Sequence, residues 1–119
     1  MKYLFFRVDS SYALASGHLV RCYRLAKIFS KKYQIIFITN KFDGNFNFII
    51  KDFRKIYLNN KNSSSINTNK DSKKVIEIIK KFTGEKIILV DHYDLDFKWH
   101  KDVSKHVNKL ICINDYLKK

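Results

Sequence analysis

The sequence predicts an α/β fold built on a doubly wound parallel sheet of about five strands. Short, continuous apolar runs, typical of strands buried on both faces, recur along the chain. Between them lie segments whose apolar residues have helical spacing. Buried strands that alternate with amphipathic helices are typical of right-handed βαβ units. The chain has 119 residues, the length of one such domain.

The strands are predicted from their apolar runs. They are expected at residues 2–9, 34–39, 55–58, 86–91 and 109–114. The run 86–91 (KIILVD) is typical of a buried strand, because four consecutive apolar residues are flanked by charged ones. Residues 46–53 are expected to form a short helix before the third strand.

Three longer helices are predicted between the strands. The first carries an apolar stripe on one side and cations on the other: Leu19, Cys22, Leu25, Ala26 and Phe29 against Arg21, Arg24, Lys27 and Lys31. The second is expected to be capped by Asp71 or Ser72 and closed by Gly84, and the third to be capped by Asp96. The Asn-, Ser- and Lys-rich segment 59–69 has no apolar period, so it is expected to be a mobile surface loop.

Composition and charge argue against several classes of protein. Lys plus Arg number 24 against 11 Asp plus Glu, a formal net charge of +13, and 45% of the residues are hydrophobic, which excludes a disordered or collagen-like chain. The cations are mostly lysines spread along the chain, and arginine, the usual residue for bidentate phosphate recognition, occurs only four times. A nucleic-acid-binding domain is supported by charge alone, and nucleic acid is not the expected partner.

No segment of the chain is expected to enter a membrane. No apolar run approaches the roughly 18 residues of a membrane-spanning helix, and Arg7 and Asp9 follow the first apolar run too soon for a signal peptide. Cys22 and Cys112 are too few for a disulfide framework or a zinc site, and both are expected to be core residues. These features predict a protein of the reducing cytoplasm.

Functional residues are expected where the strands end. In doubly wound sheets, ligands bind at the carboxyl ends of the strands, near the switch in strand order. The residues that follow the predicted strands are polar: Asp9-Ser10-Ser11, Thr39-Asn40, Asp91-His92-Tyr93-Asp94 and Asn114-Asp115. These groups are therefore the first candidates for a binding site.

The strongest local signal is Gly17-His18 at the start of the first helix. A glycine lets a ligand approach the backbone closely, and the free amides of a helix start favour an anion. The positive end of the helix dipole and Arg21 both disfavour an imidazolium, so His18 is expected to be neutral near pH 7 and able to accept a proton. A histidine that only caps the helix and packs against the loop is the alternative.

A second signal is Asp91-His92-Tyr93-Asp94 after the fourth strand. A carboxylate, an imidazole and a phenol at a strand end can orient a substrate or a partner side chain. The candidate metal ligands in this segment are Asp91, His92, Asp94 and Asp96. However, Asp96 is better explained as a helix cap, and no second histidine stands at the spacing of a zinc motif. No metal is therefore expected. No glycine-rich phosphate fingerprint or Gly-x-Ser-x-Gly elbow occurs, and no cofactor is expected.

Several motifs together resemble one family. They are Arg7-Val8-Asp9-Ser10-Ser11, Gly17-His18 followed by Arg21-Cys22 and Leu25-Ala26, Val90-Asp91-His92-Tyr93, and Ile113-Asn114-Asp115. In order and spacing, over essentially the whole chain, they resemble the UDP-sugar hydrolases of the pseudaminic acid pathway, which act on UDP-2,4-diacetamido-2,4,6-trideoxy-β-L-altropyranose. Predicted glycosyltransferases of spore-coat polysaccharide synthesis are relatives of these enzymes.

The resemblance implies the N-terminal, Rossmann-like half of a two-domain, glycosyltransferase-B type fold. It implies that His18 is the general base, which activates water to attack the anomeric carbon of a UDP-sugar and release UDP without a metal. It also implies substrate-binding residues, of which Tyr93 lies against the sugar and Asp9 and Asp91 shape the cleft. The helix start, with Gly17 and with Arg21 one turn on, then faces the diphosphate or the sugar.

The sequence departs from the family pattern in three places. The family usually has Gly-x-Gly-His where this chain has Ala15-Ser16-Gly17-His18, and Asp-Asp where this chain has Asn114-Asp115. The chain also stops at Lys119, where relatives continue into a nucleotide-gripping domain, so the chain alone is expected to be inactive or weak without a C-terminal domain or partner chain. A glycosyltransferase-like protein or a non-catalytic nucleotide-sugar-binding module is the alternative.

Overall fold

The computed structural model describes residues 1–12, 14–60 and 66–113, and within them five strands form one parallel sheet. The strands are β1 (Lys2–Val8), β2 (Gln34–Thr39), β3 (Arg54–Tyr57), β4 (Glu85–Asp91) and β5 (Lys109–Cys112). Their order across the sheet is β3-β2-β1-β4-β5, and every neighbouring pair is parallel. The predicted α/β class with a doubly wound parallel sheet is confirmed.

Helices cover both faces of the sheet. They are α1 (Gly17–Phe29), a 3₁₀-helix at Asn47–Ile50, α2 (Thr68–Lys80) and α3 (Phe97–Ser104). Side chains alternate between the faces along each strand. Phe5 of β1 therefore packs in one core with Trp99 of α3, whereas Phe6 packs in the other core with Leu19 of α1. None of the described helices is both long and apolar enough to cross a membrane.

The direction of winding changes between β1 and β4. From β1 the sheet extends through β2 to β3 on one side, and through β4 to β5 on the other. Val8 of β1 is paired with Asp91 of β4, so these two central strands end side by side. The segments that follow them meet at the carboxyl edge of the sheet, where ligands bind in folds of this kind.

The start of α2 differs from the prediction that Asp71 or Ser72 caps it. Asn67 is the cap, and its side chain accepts a hydrogen bond of 3.0 Å from the Lys70 amide. Asp71 and Ser72 are buried inside the helix. All three are favourable cap residues by type, so the local sequence does not distinguish them. Asp71 instead binds a distant arginine, as the site geometry shows.

The loop predicted at 59–69 is therefore shorter than expected. Residues 61–65 lie outside the described part of the chain, and α2 already begins at Thr68. At the other end, α2 stops at Lys80, before the predicted closing residue Gly84. Gly84 has φ +139°, and a Cβ there would collide with the Met1 carbonyl oxygen, so this glycine serves the turn into β4.

The two cysteines lie in different surroundings. Cys22 is buried, as predicted, but Cys112 is exposed, and its prediction as a core residue is wrong. Cys112 ends β5, which among the described strands lies at the edge of the sheet and pairs only with β4. Its Sγ lies 3.7 Å from Nε2 of His100. The predicted last residue of this strand, Asn114, lies outside the described residues.

Candidate active site

Two aspartate–histidine pairs cross between the central strands at the carboxyl edge of the sheet. Asp9 follows β1, and its Oδ2 lies 2.7 Å from Nε2 of His92, in the segment after β4. Asp91 ends β4, and its Oδ1 lies 2.6 Å from Nδ1 of His18, in the first turn of α1. Each strand thus supplies the carboxylate for the histidine that follows the other strand. We call Asp9–His92 the inner pair and Asp91–His18 the outer pair.

The carboxylate of the outer pair is also held by Arg21. The guanidinium donates from Nε to Asp91 Oδ2 at 2.9 Å and from Nη2 to Oδ1 at 2.8 Å. Burial by itself raises the pKa of the Asp91 carboxyl, but the hydrogen bonds from His18 and Arg21 outweigh burial and hold the pKa below its usual range. Asp91 is therefore ionised near neutral pH, and Arg21 turns back toward the sheet to bind it.

The ionised carboxylate fixes where the proton of His18 lies. A carboxylate can only accept hydrogen bonds, so the contact of 2.6 Å places a proton on Nδ1 of His18. Nη2 of Arg21, 3.4 Å from the same nitrogen, is then a close neighbour and not a second donor to it. Nε2 has no hydrogen bond to any of the described residues. In a neutral ring this nitrogen carries the lone pair, so it can accept a proton from a ligand or water.

An open cavity of about 380 Å³ adjoins the outer pair. It is lined by Leu14, Ala15, Gly17, His18, Arg21 and Tyr93. The Tyr93 side chain is half exposed, and its ring stands edge-on to the His18 imidazole with 4.5 Å between the ring centroids. Four residues predicted from the sequence to act on or bind a substrate thus meet around one space: Gly17, His18, Arg21 and Tyr93. Of the other two predicted residues, Asp91 lies behind His18 and Arg21 and binds both of them, and Asp9 belongs to the inner pair.

Gly17 leaves part of this space open. A Cβ added at Gly17 would have no heavy atom of the described structure within 4 Å, and the residue is not in the left-handed region. Neither packing nor backbone conformation therefore requires a glycine at this position. Gly17 lines the cavity beside His18, as expected for a backbone that a ligand approaches closely.

Arg7 is a fully buried cation whose role in the site was not predicted from the sequence. Its Nε and Nη2 donate to the two oxygens of Asp71 at 3.1 and 2.6 Å. Its Nη1 lies 2.9 Å from Asp9 Oδ1, an ion pair without the alignment of a hydrogen bond. Burial alone lowers the pKa of Arg7, but the two carboxylates outweigh it and keep the guanidinium charged. A charge inside an apolar strand run was the available signal, because a buried charge requires partners.

The structure places Asp9 beneath the site and not on the cavity wall. Besides Arg7 and His92, its carboxylate accepts hydrogen bonds from Thr39 Oγ1 at 3.2 Å and from the Asn40 amide at 2.8 Å. Burial raises the pKa of the Asp9 carboxyl, but Arg7 and His92 together hold it far below the usual range. Asp9 is fully occupied by donors from the protein, so it supports the segments around the site and has no free face for a sugar.

Three of the four residues considered as metal ligands have other partners among the described residues. Asp91 and His92 belong to the two crossed pairs, and Asp96 caps α3 by accepting a hydrogen bond of 2.9 Å from the Trp99 amide, as predicted. Within residues 1–12, 14–60 and 66–113, no group of three or more His, Cys, Asp or Glu side chains is arranged to hold a metal ion. The outer pair with its cavity is therefore the best-defined candidate site.

Comparisons with known proteins identify no relative of this chain, so the resemblance depends on its motifs. No protein-family model and no curated protein matches the chain. The last motif of the resemblance, Asn114-Asp115, lies outside the described residues. The family expectation is therefore carried by Gly17-His18, Arg21 and Asp91-His92-Tyr93, which the fold brings to one edge of the sheet.

Proposed function

We propose that this chain is the N-terminal, Rossmann-like half of a nucleotide-sugar hydrolase in which His18 is the general base. The observation that supports the proposal is the outer pair. Asp91 binds Nδ1 of His18 and leaves Nε2 beside a cavity, with no hydrogen bond from any of the described residues. An aspartate that fixes the tautomer of a histidine prepares the other ring nitrogen to take a proton.

The proposed reaction consumes one water. Nε2 of His18 takes a proton from the water as its oxygen attacks the anomeric carbon of a UDP-diacetamido-trideoxyhexose. The bond between that carbon and the phosphate oxygen breaks, and UDP leaves with the bonding electrons. The products are UDP and the free sugar, and the proton on His18 passes to solvent. Each step uses residues of this chain, substrate and water, and the proposal requires no metal or other cofactor.

The size of the cavity supports a substrate bound between two domains, with the sugar in this one and the nucleotide in the other. About 380 Å³ lies near the lower end of the range for small-molecule sites. We infer that this space takes the sugar, with Tyr93 as one wall and Gly17 as the open floor. The nucleotide would then be held by a C-terminal domain or a partner chain, as the family resemblance implies. Turnover by the isolated chain is accordingly expected to be weak or absent.

A non-catalytic nucleotide-sugar-binding module is the second candidate, and Ala15 favours it. Ala15 lines the cavity and has φ +61°, in the left-handed region that glycine occupies most easily. The family usually has glycine at this position. A strained alanine there is consistent with a loop whose freedom near the substrate has been reduced. In a glycosyltransferase of the same fold, His18 would take a proton from the hydroxyl group of an acceptor sugar instead of from water.

The test is UDP release from a UDP-diacetamido-trideoxyhexose, measured with the chain alone and with the C-terminal domain of a family member added. We expect release in the mixture and its loss in His18→Asn. His106→Asn is the matched control, because His106 follows α3 at the opposite edge of the sheet, near the hydrogen bond from the Asn108 amide to the Lys86 carbonyl. Full activity in His18→Asn would overturn the assignment of the base. Binding without release by the wild type would favour the module.

A further inference from the structure

We propose that His92 is a positioning residue that holds Tyr93 against the His18 ring. The catalytic consequence rests on the proposed function, whereas the placement of Tyr93 does not. His92 is buried and belongs neither to the outer pair nor to the lining of the cavity beside His18, although it lines the neighbouring cavity of about 270 Å³. It acts on the site only through its neighbour in the chain.

Both ring nitrogens of His92 are used to fix the segment after β4. The Asp9 carboxylate is ionised, so Nε2 carries a proton and donates to Asp9 Oδ2 at 2.7 Å. Nδ1 then accepts a hydrogen bond of 3.1 Å from the backbone amide of Asp94. The ring thereby joins the end of β1 to the residue just after Tyr93. Asp9 is itself held by Arg7 and Asn40, so this anchor is rigid.

Tyr93 lies between these two anchored positions. The side chain at 92 is pinned to Asp9 and the amide at 94 is pinned to the His92 ring, so the backbone that carries Tyr93 has little freedom. Its ring is 46% exposed and still keeps a centroid distance of 4.5 Å from the His18 ring. A half-exposed aromatic side chain keeps one orientation more readily when its backbone is fixed. The inner pair therefore fixes the backbone that carries Tyr93 beside the outer pair.

Tyr93 also lines two cavities. One is the cavity of about 380 Å³ that His18 lines. The other has a volume of about 270 Å³, and its lining includes His92, Phe97 and His100. A displaced Tyr93 ring would change the shape of both spaces and let a sugar settle in more than one way beside the base, which lowers the fraction bound in a reactive geometry.

The test is the proton NMR shift of Hε1 of His18, because a ring 4.5 Å away produces a ring-current shift. Tyr93→Leu defines the position of the signal without the ring. His92→Gln keeps a donor near Nε2 that can reach Asp9, whereas His92→Asn and His92→Ala lose it. His92→Gln loses only the acceptor for the Asp94 amide, so we expect its signal to stay nearer the wild-type position, and the signals of His92→Asn and His92→Ala, which lose the bond to Asp9, to move toward that of Tyr93→Leu.

Wild-type His18 signals in folded His92→Asn or His92→Ala would overturn the proposal, since a residue that only stabilises the fold would change the free energy of unfolding and not this shift. If His92→Ala does not fold, the comparison of His92→Asn with His92→Gln decides. Where UDP release is measurable, His92→Asn should lower kcat about 10-fold with little change in KM, and His92→Gln should restore it. A chain that releases no UDP contradicts the proposed function, while the NMR shift still decides the role of His92.

Discussion

Arg7 of β1 and Asp71 of α2, which are 64 residues apart in the sequence, form a fully buried bidentate ion pair. Asp71 accepts a further hydrogen bond of 2.9 Å from Trp99 Nε1 of α3, and Arg7 pairs with Asp9 as well. A single polar network therefore joins the central strand, two helices on one face and the inner pair. Because the inner pair supports the segment that carries Tyr93, this network links the packing of α2 and α3 to the geometry of the site.

Replacing Asp71 with asparagine should destabilise the fold strongly. Asp71→Asn keeps the shape of the side chain but removes the charge that compensates Arg7, and a broken buried ion pair typically costs about 3 kcal/mol or more. We expect that loss in the free energy of unfolding measured with urea. Asp102→Asn, which removes the exposed Lys98–Asp102 pair, is the control and should leave the unfolding midpoint unchanged. Equal effects of the two variants would contradict the importance of the network.

Stability should fall in acid because of Asp9. The pKa of its carboxyl is far below the usual range in the folded protein, where Arg7 and His92 bind the carboxylate, and about 3.9 in the unfolded chain. The unfolded state therefore binds the extra proton between these values, and the stabilisation is complete above about pH 4 and is lost as the pH falls below it. Thermal unfolding from pH 7 to pH 2 should show this decline.

Asp9→Asn is the matching variant for the acid titration. It should have a lower melting temperature at pH 7 and a shallower decline below pH 4, because the group that titrates is gone. Parallel declines in the two proteins would mean that other carboxylates, such as Asp91, dominate the acid response.

Local signals predicted the elements that depend on local interactions. The strand at Glu85–Asp91 and the Asp96 cap of α3 follow from an apolar run and from a cap residue beside its own helix. The outer pair joins residues 73 positions apart, and the sequence predicted only that His18 and Asp91 would lie at the same edge of the sheet. The role of Asp71 was not predictable from cap preferences, because its partner lies on a strand that local rules do not connect to it.

A methyl group at position 17 should separate function from stability. In Gly17→Ala the new Cβ meets no atom of the described structure, and alanine is the better helix former, so the free energy of unfolding should stay equal or rise by less than about 1 kcal/mol. Gly17 lines the cavity beside His18, and a methyl group there should hinder a substrate that approaches this backbone, so binding of the nucleotide sugar should weaken. Titration calorimetry in the presence of the added C-terminal domain measures this. Unchanged affinity would mean that the substrate does not approach this backbone.

The loop before α1 should gain stability when Ala15 becomes glycine. Ala15 has φ +61°, and its amide donates a hydrogen bond of 2.8 Å to the Ser11 carbonyl, which holds it in that conformation. An alanine in the left-handed region costs roughly 1–2 kcal/mol, and the greater freedom of glycine in the unfolded chain offsets part of the relief. We therefore expect Ala15→Gly to raise the free energy of unfolding by about 0.5 kcal/mol.

Ala26→Gly is the control with the opposite sign, because Ala26 is buried within α1 and glycine there weakens the helix. If both variants destabilise the protein, the Ala15 backbone is not strained.

The same Ala15→Gly variant also separates the two candidate functions. Because it restores the glycine usual in the family beside His18, increased UDP release supports the hydrolase. A higher free energy of unfolding without UDP release, again with the C-terminal domain added, supports the binding module.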